Sequence, residues 1–170
     1  RSGLPVGRFV ATTNVNDVVP AYLATGEYRP RASVTTLATA MDCGAPSNVE
    51  RMQWLYQHDV TAMRRDIVGS HHDDQAIRQT IRDVYDRYGY VLDPHSAVGY
   101  MGLSGHLADG QVGIFLCTAD PAKFPEVVEP AIGRALEVPA ALAAAVAANG
   151  ERHIIAPTHD ALTQAVHASA

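Results

Sequence analysis

Lysine is nearly missing from this chain. Of thirteen basic residues, twelve are arginine and Lys123 is the single lysine. Chemistry that needs a Schiff-base lysine must therefore use Lys123 or borrow one from elsewhere. Cysteine is scarce as well. Cys43 and Cys117 lie far apart, and Cys117 sits in an apolar run. Free, buried thiols in a reducing cytoplasm are expected rather than a disulfide. No apolar run approaches the ~20 residues that cross a bilayer, and no signal peptide is visible, so no membrane partner is expected. Positive charge is in deficit, with a net charge of -5, a pI near 5.8 and no basic run. That excludes non-specific attraction to nucleic acid or anionic lipid. An initiator Met is also missing. Arg1-Ser-Gly-Leu-Pro5 reads as a helix tail with Gly3 as its C-cap, so a cut element is expected before it. What the chain does have is 170 residues, 47% of them hydrophobic, enough for a domain with a real core.

Gly113-Ile-Phe-Leu-Cys-Thr-Ala-Asp-Pro-Ala-Lys-Phe124 organises the reading. Val112 to Cys117 has the length and the β-branched and aromatic content of a buried strand. The run stops at Thr118, and Pro121 and Pro125 forbid further ladder pairing. A buried strand releasing a hydroxyl, an acid and a lysine at its carboxyl end is where open α/β sheets place ligands. Arg8-Phe-Val-Ala-Thr-Thr13 is a second strand. Asn14 to Asp17 supplies a turn, with Asn16 or Asp17 as N-cap or ligand contact, and a helix follows over Val18 to Thr25, stopped by Gly26.

Further along, Ser47-Asn-Val-Glu50 fits a capping box for a helix to about Asp59, whose exposed start would equally hold an anion. Ser70-His-His-Asp-Asp74 has metal-ligand residue types but no convergent spacing, so Asp73 or Asp74 is read as an N-cap. Ile77, Ile81, Val84, Tyr85 and Tyr88 recur at helical spacing up to Gly89. At Asp93-Pro-His-Ser96, Asp93 or Ser96 caps a helix through Met101 and Leu107, and His95 is either a satisfied loop histidine or a functional group. Helices are also expected from Pro125, from Pro139 over the alanine-rich stretch, and from Thr158 to about His167. Strands alternating with helices predict an α/β fold, part of an open, mostly parallel sheet flanked by helices.

Four stretches resemble threonine synthases, in the order that family has them. They are Arg8-Phe-Val-Ala-Thr-Thr-Asn-Val-Asn-Asp-Val-Val-Pro20, Ala40-Met-Asp42 with Pro46-Ser-Asn48, Asp93-Pro-His-Ser-Ala97, and Thr118-Ala-Asp-Pro-Ala-Lys-Phe124. The last is similar to the Thr-Ala-His-Pro-Ala-Lys-Phe signature near the family's carboxyl end, with Asp120 where His is usual. The resemblance covers roughly residues 1–136. It implies the C-terminal part of the large pyridoxal phosphate (PLP) binding domain of fold type II, with 137–170 an Ala-rich helical tail packed on the same domain.

By the same resemblance the parent enzyme is cytoplasmic and converts O-phospho-L-homoserine and water to L-threonine and phosphate. Thr118 then faces the pyridine nitrogen of PLP. Lys123, Ser47, Asn48, Asp42 and His95 are candidate substrate contacts. Asp120 would repel the substrate phosphate unless it points away or pairs with Lys123. No catalytic residue is assigned, because the family's Schiff-base lysine and phosphate-cradling loop match nothing in these residues, and no metal site is assigned. The chain alone is therefore expected to be inactive and to need the missing N-terminal half of the same enzyme, supplied covalently or by a complementing chain. The alternative is a non-catalytic truncated paralogue that binds a small ligand or a protein. Removing half of such a domain should bare an apolar face.

Overall fold

Strand β1 (Phe9–Thr13) and strand β2 (Ile67–His71) run parallel, with Phe9 opposite Ile67 and Thr13 opposite His71. The computed structural model describes residue 3, residues 5–148 and residues 153–168. The crossover between the strands carries α1 (Val18–Thr25), α2 (Val49–Leu55) and α3 (Val60–Asp66). A parallel neighbour needs such a crossover, because a hairpin turn would reverse the chain. α4 (Asp74–Tyr88), α5 (Pro94–Ser104) and α6 (Pro125–Ile132) follow β2. The chain divides into two compact units, Arg1–Glu137 and Val138–Ala170. The second holds α7 (Ala140–Ala147) and α8 (His159–Ala168), where Thr158 Oγ1 accepts from the Ala161 amide.

Strand side chains alternate between faces, so the two-stranded sheet buries both. Ala11 and Ile67 face a cluster of Val19, Tyr22, Leu23, Val49 and Met63. Gly69, opposite Ala11, lets α1 come close: a Cβ there would stand 2.7 Å from Pro20 Cα. On the other face, Thr12 meets α5, where a Cβ on Gly102 would lie 2.5 Å from Thr12 Cβ. The larger cluster lies beyond it. There Ile77, Ile81 and Val84 of α4 meet Val98 of α5 and Val127 and Val128 of α6. Ile77, Ile81 and Val128 are fully buried, each contributing about 1.5–3 kcal/mol.

Several expectations need correction. The Val112–Cys117 run forms no strand and has no ladder partner among the described residues. Its inner face is held: Phe115 stacks edge-on with Tyr100 at 5.9 Å, and Leu103 fills the space beside Gly113. Its outer face is bare, with Val112 90% exposed, Ile114 82% and Leu116 79%. Cys117 is exposed, not buried, as is Cys43. The expected apolar face is present on this segment.

The capping box at Ser47–Glu50 does not form. Asn48 sits at the N-cap in helical conformation, and no side chain caps α2. The helix stops at Leu55, and Asp59 instead caps α3 through the Ala62 amide. Neither Asn16 nor Asp17 caps α1 by its side chain; the Asp17 carboxylate accepts from Arg31 instead. α5 ends at Ser104, short of Leu107. Gly3 has the positive φ of 78° that a C-cap glycine would use, but the helix tail expected before it lies outside the described residues.

Candidate functional site

Both strands point their carboxyl ends the same way, and polar side chains gather there. β1 delivers Asn14, which is fully buried, and Asn16, 3% exposed. Asn14 Nδ2 donates to Thr36 Oγ1 at 2.7 Å and to Asp42 Oδ1 at 2.8 Å. Asn14 Oδ1 accepts from the Asn16 backbone and side-chain amides, both at 2.9 Å. Asn16 in turn exchanges hydrogen bonds with Val34, its Nδ2 donating to Val34 O and its Oδ1 accepting from the Val34 amide. Thr36 donates its hydroxyl to Asp42 Oδ1 at 2.7 Å and its amide to Asp42 Oδ2 at 3.0 Å. β2 delivers the acids that follow it. Asp73 caps α4 through the Ala76 amide, and Asp74 Oδ1 accepts from the Leu37 amide at 3.0 Å.

The start of α5 closes the site. Asp93, 1% exposed, caps the helix through the His95 amide at 2.9 Å and accepts from the Ser96 hydroxyl. These donors and the positive end of the α5 dipole face its carboxyl group. His95 Nδ1 lies 2.8 Å from Asp93 Oδ1, while His95 Nε2 accepts from the Ala40 amide at 3.0 Å. An amide N–H can only donate, so Nε2 carries the lone pair and Nδ1 carries the proton that goes to Asp93. The buried imidazole is therefore neutral, and the His95 and Phe124 rings pack at 5.0 Å.

Phe124 brings in the 118–124 segment. Thr118 is exposed, and no hydrogen bond engages its hydroxyl among the described residues. Asp120 Oδ1 accepts from the Ala122 amide at 2.9 Å and so caps the short 3-10 helix Pro121–Lys123. Among the described residues it makes no ion pair with Lys123, which is exposed. Next to Thr118, Cys117 Sγ accepts from the Tyr90 hydroxyl at 3.8 Å, and that hydrogen bond pushes the Tyr90 phenol above its usual range.

The structure thus brings Asp42, His95 and the 118–124 segment together through Ala40 and Phe124. Ser47 and Asn48 stand exposed at the start of α2. Thr36 and the tying roles of Asn14 and Asp74 are visible only in the tertiary structure. The signal was present, in two buried-type asparagines within three residues directly after a strand, but hydrogen-bond partners 22 and 28 residues away cannot be read from spacing. A parallel sheet with helices on both faces and polar groups at its strands' carboxyl ends is a ligand-binding unit of the open α/β class.

Comparison with known proteins narrows the class. The family described as "Threonine synthase, C-terminal" matches residues 96–167. Threonine synthases of Serratia marcescens and Escherichia coli (strain K12) are 41% and 42% identical over 141 residues. Those matches cover 83% of this chain and 32% of each relative, so the chain spans about a third of their length. The crystal structure of the Escherichia coli threonine synthase superposes with a TM-score of 0.84 at 37% identity, covering 99% of this chain and 39% of that one. PLP-bound threonine synthase from Brucella melitensis matches at 29% identity with a TM-score of 0.76, over 82% of this chain and 35% of that one. The chain belongs to the threonine synthase family and has the α/β fold of its type II members.

Proposed function

We propose that this chain is the part of a threonine synthase that supplies one wall of the PLP site. The enzyme's reaction converts O-phospho-L-homoserine and water to L-threonine and phosphate. The observation that carries the reading is the superposition of 99% of the chain on a threonine synthase at a TM-score of 0.84. PLP, when bound, supplies the electron sink for carbanions next to the amino group of the substrate. Thr118 fits it: its hydroxyl is exposed and uncommitted within the described chain, and it ends a segment whose outer face lacks a partner. A neutral hydroxyl donates to an unprotonated ring nitrogen without stabilising a pyridinium as a carboxylate would.

Lys123 offers a mobile point charge to a phosphate. Asp120, turned back onto the Ala122 amide, leaves that charge unneutralised. Ser47 and Asn48 are free to donate to substrate from the start of α2. Asp42 and His95 have their polar atoms committed within the chain and act by positioning. The bare face of Val112, Ile114 and Leu116 receives the rest of the enzyme's sheet.

The test uses the complete threonine synthase carrying this chain. Thr118→Val should lower kcat/KM for phosphate release about tenfold, the worth of one hydrogen bond, and weaken PLP binding, with Thr118→Ser retaining both. The 170-residue chain alone should release no phosphate. Wild-type kinetics and PLP affinity in Thr118→Val would rule out the assignment of Thr118.

A further inference from the structure

Residues 31–44 form a closed loop. The Arg31 amide donates to Gly44 O at 2.8 Å, and the Gly44 amide donates to Ser33 Oγ at 3.0 Å. A Cβ on Gly44 would stand 1.9 Å from Arg31 O, so the two limbs touch backbone to backbone. Inside the loop, Asp42 receives hydrogen bonds on both oxygens: Asn14, Asn16 and Thr36 side chains on Oδ1, the Thr36 amide on Oδ2. These four donors are neutral. The loop's tie to β1 therefore depends on which partner is the acid and which the amide.

We propose that Asn14 is a positioning residue of the threonine synthase site. Acting through Asp42, it fixes loop 31–44 over the carboxyl edge of the sheet and so sets where Ser47 and Asn48 meet the substrate. The role in catalysis rests on the reading given above; the tie itself does not. Asn14→Asp sets two carboxylates against each other. Asp42→Asn can offer Asn14 its one remaining oxygen only by turning its amide hydrogens onto the Thr36 amide, itself a donor. Each variant weakens the tie, and the two together exchange acid and amide and restore one donor facing one acceptor, with the Ala38 carbonyl, which Asn14 Nδ2 also reaches at 3.2 Å, left opposite the new acid.

Hydrogen exchange over residues 34–42 of the 170-residue chain reads the tie, and steady-state kinetics of the complete enzyme read its consequence. Each single variant should exchange about tenfold faster or more over 34–42. The double variant should recover at least half of that change on a logarithmic scale. In the enzyme, each single variant should raise KM for O-phospho-L-homoserine about tenfold with kcat held within about threefold, and the double variant should recover. Thr36→Val, which removes the hydroxyl bridging Asn14 and Asp42, should act in the same direction if Asn14→Asp fails to fold. Unchanged exchange in the single variants, or no recovery in the double, would overturn the tie. Altered exchange with an unmoved KM would overturn the positioning role. A wild-type enzyme that releases no phosphate would instead sink the threonine synthase reading, and the exchange measurements would still decide the tie.

Discussion

His95 Nε2 and the Ala40 amide nitrogen lie 3.0 Å apart, although 55 residues separate them in sequence. That bond joins the first turn of α5 to the loop that leaves β1. The same ring holds Asp93 on its other nitrogen and Phe124 on its face. His95→Ala should therefore cost about 2–4 kcal/mol, since it removes the ring's bonds to the Ala40 amide and Asp93 and leaves a cavity. Urea unfolding followed by circular dichroism measures this, and an unchanged midpoint would mean the joint carries no stability.

Two close backbone approaches hold the sheet between its helices. Gly102→Ala would drive a methyl into Thr12, and Gly69→Ala would drive one into Pro20. Each should lower stability by about 1–3 kcal/mol. Gly7→Ala, where nothing lies within 4 Å, should stay within about 0.5 kcal/mol. Thermal unfolding of the three variants side by side separates packing from the general cost of replacing glycine.

His72, just past β2, has a pKa below its ordinary 6.5 because burial penalises the charged ring; His71 and His106 push the same way and Asp73 opposes them. Just below pH 6.5 the unfolded chain therefore binds more protons than the folded one. This contribution to stability is present above that pH, falls as pH drops through the window, and levels off below the folded pKa. His72→Gln should flatten the difference between urea midpoints at about pH 7.5 and about pH 5.5 relative to wild type. An equally steep dependence in the variant would assign the proton uptake elsewhere.

Val112, Ile114 and Leu116 form a one-sided apolar edge, and such edges recruit other chains. The 170-residue chain should self-associate in sedimentation velocity runs. Ile114→Lys with Leu116→Lys should return it to the monomer without loss of helix signal. A wild-type chain that stays monomeric at high concentration would show that this face is not sticky.

Local patterns were legible where a single segment decides the outcome. α1 spans Val18–Thr25 and ends at Gly26 with φ 85°, as its glycine stop predicts. α4 buries Ile77, Ile81 and Val84 on the face that their spacing marks, and Asp73 caps it. β2 and α3 were not legible: Ile67-Val-Gly-Ser-His71 is short and interrupted by glycine, so nothing in its own pattern separates strand from loop. Its strand state comes from pairing with β1, and Gly69 is there because α1 presses on it. The candidate site shows the same split. Thr118, Lys123 and the Asp93-Pro-His-Ser96 corner stood out as residue types at strand and helix ends, but the partners of Asp42 did not.

The sequence by itself determined the parallel α/β class, helices α1 and α4 with their glycine stops, and the family. Periodicity, capping residues and motif order are properties of short segments, and they survive whatever surrounds them. Tertiary structure decided which acids cap and which tie loops, since a carboxylate takes whichever donors the fold brings within reach. It also decided the state of Val112 to Cys117. Apolar alternation suits a segment to be a buried strand, but a ladder needs a neighbour, and among the described residues none lies beside it.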